Sequence, residues 1–508
     1  MSIIAVLLFT ILTVLPFYFP SLFFLNFFSF IAILYLIKNN SIGKSFKYGW
    51  IMGFIYISLS SYWLFFPLND FSGLPTLLSL ILLIILFILI SIFYAIWAYL
   101  LKKIGVGAVR AALTWTAVEY LRYKILSFFP VSYLAYTQSA FKPLIQWADL
   151  GGIFLISFII MLINGYFYKL IYTSKKKYLI PILIIFVIIG SYGFYSINKY
   201  SNYEKLNEFK LALIQTNIDQ SVKWEVSRID KNINLIFSSL ENVDNVDLVI
   251  TPETALTFDI IRNEYYSEKL FELVKNRNAY FQFGAQAIKE KEREKYNSSF
   301  LISPDGEIIS RYNKNKLLPF GETIPFNKIV NYLTNSRWYS LFPGDKSPIF
   351  NINSVKWKNL ICSEIFYPIL DDNLEDFDFI VNQSNEAWFD SGLQEEMWTA
   401  AVFRAVESRK TVVKTGNFAK SGVILPTGKH SVLEDMKSDK VINAKIVKNN
   451  ERTFYSKHGN YLGYISLIIV IILFIIKSIV NFKKERNDNK IKNNNKVKKF
   501  SNNLNNEE

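Results

Sequence analysis

The stretch "LLSLILLIILFILISIFYAIWAYLL", Leu77 to Leu101, runs for 25 residues without a charge. About 20 apolar residues in a helix cross a hydrocarbon layer about 30 Å thick, so the run predicts a membrane span within 74–101. Working outward, further apolar runs lie near 2–19, 20–37, 48–66, 107–123, 151–172, 178–197 and 460–480. The first two are parted only around Phe19-Pro20 and read as a hairpin or a broken helix. The run 107–123 is the weakest, because it carries Arg110 and Glu119. A soluble fold would find so many nearly uncharged runs hard to bury, which points to lipid as their solvent.

Lysine and arginine orient these eight runs. Lys38, Lys44 and Lys47 follow the second, Lys102, Lys103 and Arg110 the fourth, Lys169 and Lys175 to Lys177 the sixth, and Lys477, Lys483, Lys484 and Arg486 the eighth. The loop "PLNDFSGL" after the third has no basic residue. The alternation predicts both termini in the cytoplasm and residues 200–457 on the other side. The loop after the fifth run, with Arg122, Lys124 and Lys142, departs from the pattern. The N-terminus lacks a basic region and a small-residue cleavage site, and so reads as a retained span. The net charge of +14 sits largely in cytoplasmic loops and in the tail "KKERNDNKIKNNNKVKKF" (483–500). Topology accounts for that placement, so no nucleic-acid role is indicated. The tail is Asn/Lys-rich and is expected to be disordered.

The resulting division is a seven-helix membrane domain (1–198), an extracytoplasmic domain (199–457), an eighth span (458–482) and a basic cytoplasmic tail (483–508). Within the second unit, "KLALIQTN" (210–217), "VDLVITPET" (246–254) and "AYFQFGAQA" (279–287) read as strands. "SSFLISPDGEIISRYNK" (298–314) reads as a hairpin around Pro304-Asp305-Gly306. "NLICSE" (359–364), "DFIVNQSN" (378–385), "TVVKTGN" (411–417) and "SGVILPTGK" (421–429) add strands, and helices fit 223–240, 262–277 and 394–410. The alternation predicts an α/β sandwich.

Cys362 is the only cysteine. On the predicted disulfide-forming side of the membrane it has no partner within the chain. It is therefore either a small buried hydrophobe or kept for reactivity. The two histidines, His430 and His458, sit at no predicted strand end, and no metal-ligand spacing is present. A base for the thiol is then sought among carboxylates and lysines. Three strand ends supply Glu253, Lys314 and Cys362. A carboxylate in a partly apolar site can take a thiol proton, and an ammonium can stabilise thiolate and oxyanion. Together they suffice for acyl transfer through a thioester.

Six ordered blocks carry a family resemblance: "QSVKWE" (220–225), "TPETAL" (251–256), "YNKNKLLPFGE" (312–322), "ICSEIFYP" (361–368), "NQSNEAWF" (382–389) and "TGNFAKSGVILPTGK" (415–429). With the membrane layout, they resemble the apolipoprotein N-acyltransferases, membrane enzymes with a nitrilase-like (carbon–nitrogen hydrolase) domain. The resemblance implies a multi-span α-helical membrane domain beside an α-β-β-α sandwich. It implies Glu253 as general base, Lys314 as oxyanion-stabilising lysine and Cys362 as nucleophile. Trp224, Glu322, Ser363, Glu364, Asn385 and Trp388 would support the site or bind substrate. It further implies transfer from a phospholipid donor to the amine of a diacylglyceryl lipoprotein, without cofactor or metal. The enzyme would be a monomer in the bacterial inner membrane, with its catalytic domain periplasmic. Ser363 stands where the family often has Tyr, Lys316 where it often has His, and Glu386 where it often has Asp. Trp338, Tyr339, Phe342, Trp388 and Phe389 are either packing residues or an interfacial gate for lipid. The rival enzyme is a membrane-anchored amidase or nitrilase. A receptor or transporter with a degenerate domain would be expected to lack one of the three central groups.

Overall fold

A computed structural model describes residues 2–70, 74–201, 209–241, 243, 245–289, 294–318, 321–323, 340–345, 349–368, 376–389, 391–434, 440–446, 449 and 451–504. The first 201 residues are helical: α1 (Ser2–Tyr18), α2 (Ile31–Asn39), α3 (Ile42–Ser60), α4 (Phe65–Asp70), α5 (Thr76–Ile104), α6 (Ala108–Ile125), the single turn α7 (Lys142–Ile145), α8 (Ala148–Thr173) and α9 (Leu179–Ser201). Among the described residues, five helical stretches are long and apolar enough to cross a membrane: 20–39, 76–104, 148–173, 176–201 and 461–487. A sixth is α3 with the turn and helix after it, bent by 64° at Ser61. Two of the eight expected spans therefore fall short. α1 is a shorter apolar helix. α6 carries Arg110, Glu119, Arg122 and Lys124; it buries Glu119 and Arg122 and leaves Arg110 and Lys124 exposed. The Glu119 carboxylate accepts the Leu134 N–H at 3.0 Å, and Arg122 donates to the Val131 and Ser132 carbonyls at 3.0 and 3.3 Å. Lys142, another charge outside the positive-inside pattern, donates to the carbonyls of Ser139 and Gly428.

The second half holds twelve strands and six helices among the described residues. The helices are α10 (Gln220–Lys223), α11 (Ile229–Glu241), α12 (Glu264–Arg277), α13 (Ser391–Ser408), α14 (Phe454–His458) and α15 (Tyr461–Leu504). The strands are β1 (Phe209–Gln215), β2 (Leu248–Ile250), β3 (Tyr280–Lys289), β4 (Glu294–Ile302), β5 (Ile308–Asn313), β6 (Ile349–Ile352), β7 (Val355–Ile361), β8 (Phe379–Asn385), β9 (Thr411–Asn417), β10 (Ser421–Ile424), β11 (His430–Glu434) and β12 (Lys440–Ile446). They form two sheets, ordered β12-β1-β2-β3-β4-β5 and β11-β10-β9-β8-β7-β6. In each, three central parallel strands (β1–β2–β3 and β7–β8–β9) are flanked by antiparallel ones.

The sheets meet face to face across a polar seam. Gln282 donates to Asn359 at 2.5 Å and to Gln383 at 2.8 Å, while Trp357 Nε1 donates to Gln282 at 2.8 Å. On the outer face of the first sheet, Ile233, Ile236, Phe237 and Leu240 of α11 and Leu270 and Val274 of α12 bury against Val249, Phe281 and Phe283. The outer face of the second carries α13, buried on nearly every side because the membrane helices close over it. The layers thus run α-β-β-α, with one outer layer resting on the membrane domain. Arg409, at the end of α13, locks that contact. It donates to Asp149 at 2.7 and 3.0 Å, to the Gln146 side chain at 2.6 Å and to the Pro426 carbonyl at 2.9 Å.

α15 continues as helix through Leu504. After Gly463 the segment contains neither glycine nor proline to break the helix.

Candidate active site

The parallel strands end on one side of the sandwich, and the polar residues just past their ends converge there. After β2 the loop Thr251–Thr254 carries Glu253 inward. β3 makes room through Gly284, where an added Cβ would lie 2.3 Å from the Pro252 carbonyl oxygen and 2.8 Å from Glu253 Cα. One Glu253 oxygen accepts the Asn297 Nδ2–H at 2.6 Å, and the other accepts the Asn385 N–H at 2.7 Å. Lys314 follows β5, its N–H donating to the Asn297 carbonyl at 2.8 Å. Its ammonium lies 2.7 Å from Glu322 Oε2 and 3.8 Å from Glu253 Oε1. Asn297 also donates to Glu322 Oε1 at 2.8 Å. One amide and one ammonium therefore tie the two carboxylates together.

Cys362 follows β7 and is buried. Its φ of +50° is left-handed, a conformation costing a non-glycine residue of order 1 kcal/mol that the surrounding structure must hold. Glu364 supplies much of that hold. Its carboxylate accepts the Tyr312 hydroxyl at 2.6 Å and the N–H groups of Asn315, Lys316 and Ile361 at 2.8, 3.0 and 2.8 Å. With so many donors it acts as a staple between the lysine loop and the cysteine turn. Asn382 caps the turn from β8, donating to the Cys362 carbonyl at 3.2 Å.

Electrostatics follow from this burial. Desolvation pushes the Cys362 thiol well above its usual range and nearby Glu253 adds to the shift; Lys314 opposes both. Desolvation also raises Glu253, against the pull of Lys314. Lys314 loses solvation too, but Glu322 and Glu253 outweigh that loss and its proton is held tightly. The resting site therefore pairs a neutral thiol with a fixed ammonium and a carboxylate that can accept a proton.

Above the sulfur lies a narrow apolar slot of about 50 Å³. Its walls come from both halves of the molecule. Trp63, Leu64 and Phe128 to Val131 come from the helical part; Leu317, Leu318, Phe366, Tyr367, Phe389, Leu393 and Met397 come from the sandwich. Phe389 meets Trp63 edge to face at 5.6 Å.

Of the residues singled out from sequence, Glu253, Lys314 and Cys362 are buried together, with the partly exposed Glu322 completing the cluster. Ser363 lines the slot beside Cys362. Asn385 gives its backbone N–H to Glu253, while its side chain bridges Gln220 and Asn417 at 2.8 and 2.9 Å. Trp388 is half-buried at the end of β8, and Trp224 is 38% exposed beside α10. Phe342 is exposed, and Trp338 and Tyr339 lie outside the described residues. Sequence reasoning missed Asn297, a polar residue in a strand buried on both faces. It also missed Lys223, which is fully buried and donates to Thr254 Oγ1 at 3.0 Å and to the Glu253 carbonyl at 3.4 Å. It stands beside Trp224 in the block 220–225. Burial lowers the Lys223 ammonium to about 8 against the opposing pull of Glu253.

Comparison with known proteins adds a family. A model described as the apolipoprotein N-acyltransferase N-terminal domain matches residues 9–166, and one described as carbon-nitrogen hydrolase matches residues 210–454. An apolipoprotein N-acyltransferase of Geobacter metallireducens is 28% identical over 444 residues, covering 83% of this chain and 84% of that protein. One of Wigglesworthia glossinidia brevipalpis is 29% identical over 462 residues, covering 87% and 91%. Among solved structures, a CN-hydrolase superfamily protein of Xanthomonas campestris is 16% identical with a TM-score of 0.38, over 47% of this chain and 91% of that one. With both halves matched in order and relatives aligned along most of its length, the chain belongs to the apolipoprotein N-acyltransferase family and is an acyltransferase of the carbon–nitrogen hydrolase superfamily.

Proposed function

We propose that the chain transfers a fatty acyl group from a phospholipid to the α-amino group of the diacylglyceryl-cysteine of a lipoprotein, through a thioester on Cys362. The observation that carries this reading is the slot. The thiol faces a slot walled by aliphatic and aromatic side chains from the membrane helices as well as the sandwich. A small-amide hydrolase needs no wall from membrane helices, whereas drawing an acyl chain into water would cost about 0.8 kcal/mol per CH₂.

Glu253 takes the Cys362 proton as the sulfur attacks the ester carbonyl. The C–O π electrons move onto oxygen, and the Lys314 ammonium stabilises the oxyanion. Collapse breaks the ester C–O bond, Glu253 returns the proton to the departing oxygen, and a lysophospholipid leaves. In the second half the neutral amine attacks the thioester and Glu253 accepts its proton. The C–S bond breaks, and the thiolate recovers that proton from Glu253. The apolar walls keep water from the thioester, so aminolysis outruns hydrolysis. Confinement of both substrates to one membrane plane raises their effective concentration. The charge pattern supports a multi-pass protein with the catalytic domain periplasmic and both termini cytoplasmic, and we read it as a monomer of the bacterial inner membrane.

Mass spectrometry of the purified protein tests this. A single acyl adduct on Cys362, discharged by a diacylglyceryl peptide, is expected. Cys362→Ser should carry no thioester, and N-acylation by that variant at the wild-type rate would refute the mechanism.

A further inference from the structure

Arg122, Lys124 and Lys142 interrupt the positive-inside pattern. Arg122 and Lys142 are engaged with backbone carbonyls, as described above. Lys124 differs. It is exposed in the last turn of α6, lies near the rings of Tyr120 and Tyr123 at 5.8 and 5.6 Å, and lines an open groove of about 490 Å³. Lys316 is also exposed and lines the same groove from the lysine loop. The groove shares Phe128, Leu317 and Tyr367 with the slot above Cys362. The two spaces therefore adjoin as an apolar arm and a cationic arm. The Tyr367 hydroxyl donates to the Ser127 carbonyl at 2.7 Å, bridging the two halves of the molecule at this wall. No carboxylate lines the groove among the described residues. Glu364 receives the Lys316 N–H, but it faces inward and is occupied by the donors named above.

We infer that Lys124 and Lys316 form a phosphodiester subsite that takes the donor lipid's headgroup phosphate while its acyl chain enters the slot. The inference rests on the phospholipid-donor reading above. Two ammonium groups favour the phosphate, and a headgroup ammonium would meet them with no carboxylate to offset the repulsion. Donors with a net negative headgroup are therefore preferred over zwitterionic ones. A lysine near an anionic lipid surface contributes about fivefold in affinity.

The test measures thioester formation by the full-length protein in mixed micelles. The donors are phosphatidylglycerol, phosphatidylethanolamine and the phosphate-free ester p-nitrophenyl octanoate. Wild type should favour phosphatidylglycerol about fivefold or more. Lys124→Gln and Lys316→Gln should each raise its KM about fivefold relative to the other donors. The double variant should bring the two lipids level, and arginine at either position should restore the preference. Equal use of both lipids by wild type, or a double variant that leaves the ratio unchanged, overturns the subsite. So does equal loss on p-nitrophenyl octanoate, which marks a structural effect. Inorganic phosphate that inhibits all three donors alike, with the lipid ratio fixed, would indicate a free-anion site and also overturn it. Thioester from p-nitrophenyl octanoate but from neither phospholipid would instead sink the donor reading itself.

Discussion

Replacing Glu322 by glutamine isolates the restraint on Lys314. In the wild-type geometry the ammonium is 2.7 Å from Glu322 and 3.8 Å from Glu253. At an effective dielectric of about 20, a pair at 3.8 Å is worth about 4.4 kcal/mol and one at 2.7 Å about 6.1 kcal/mol. Without the Glu322 charge, Lys314 is free to close on Glu253 and gains about 1.8 kcal/mol, or about 1.3 pH units in the strength of the base. Burial raises Glu253, Lys314 lowers it and Glu322 raises it, so both consequences of the substitution lower it. A carboxylate base works only when ionised. The acid limb of the rate–pH profile should therefore move down by about one unit, and the plateau should fall by up to about 20-fold because the base is weaker. Single-turnover thioester formation, quenched and quantified by mass spectrometry across pH 4–8, reads both effects. A variant whose limb and plateau match wild type would show that Glu322 does not hold the lysine away from the base, and the reasoning would fail.

Two further outcomes follow from buried charge. Arg409→Met leaves Asp149 without its main partner and should destabilise the protein by about 3–5 kcal/mol; an unchanged thermal midpoint in detergent would contradict the lock between the two halves. Lys223 has a folded value of about 8 against 10.5 in the open chain, so between those pH values the unfolded chain binds the proton and the folded one does not. Stability should therefore rise with pH across that window by about 3 kcal/mol, and Lys223→Met should flatten the rise; a parallel slope in both proteins would refute it.

The strands of the sandwich were legible because they are short apolar runs ending in polar residues, and those endings placed Glu253, Lys314 and Cys362. β6, β11 and β12 were not read, since they are edge strands with half-polar sequences. The roles of Asn297 and Lys223 depend on which backbone lies across from them, and that is fixed by tertiary pairing alone. Hydropathy found the apolar runs but could not tell a helix facing lipid from α6, whose Glu119 and Arg122 are satisfied inside the bundle. The resemblance implied a supporting part for Glu364; its four partners, on β5, the lysine loop and the end of β7, reveal a scaffolding role that spacing along the chain does not carry.

The last helix packs along α6 closely enough that Gly463 lies against Tyr120, with space for no larger residue. Yet it is encoded after the entire sandwich. During synthesis the helical bundle must wait, with one flank uncovered, until more than 250 residues of catalytic domain have been made between α9 and α15. Order of translation thereby becomes order of assembly, and the bundle is sealed only once the enzyme it carries is complete.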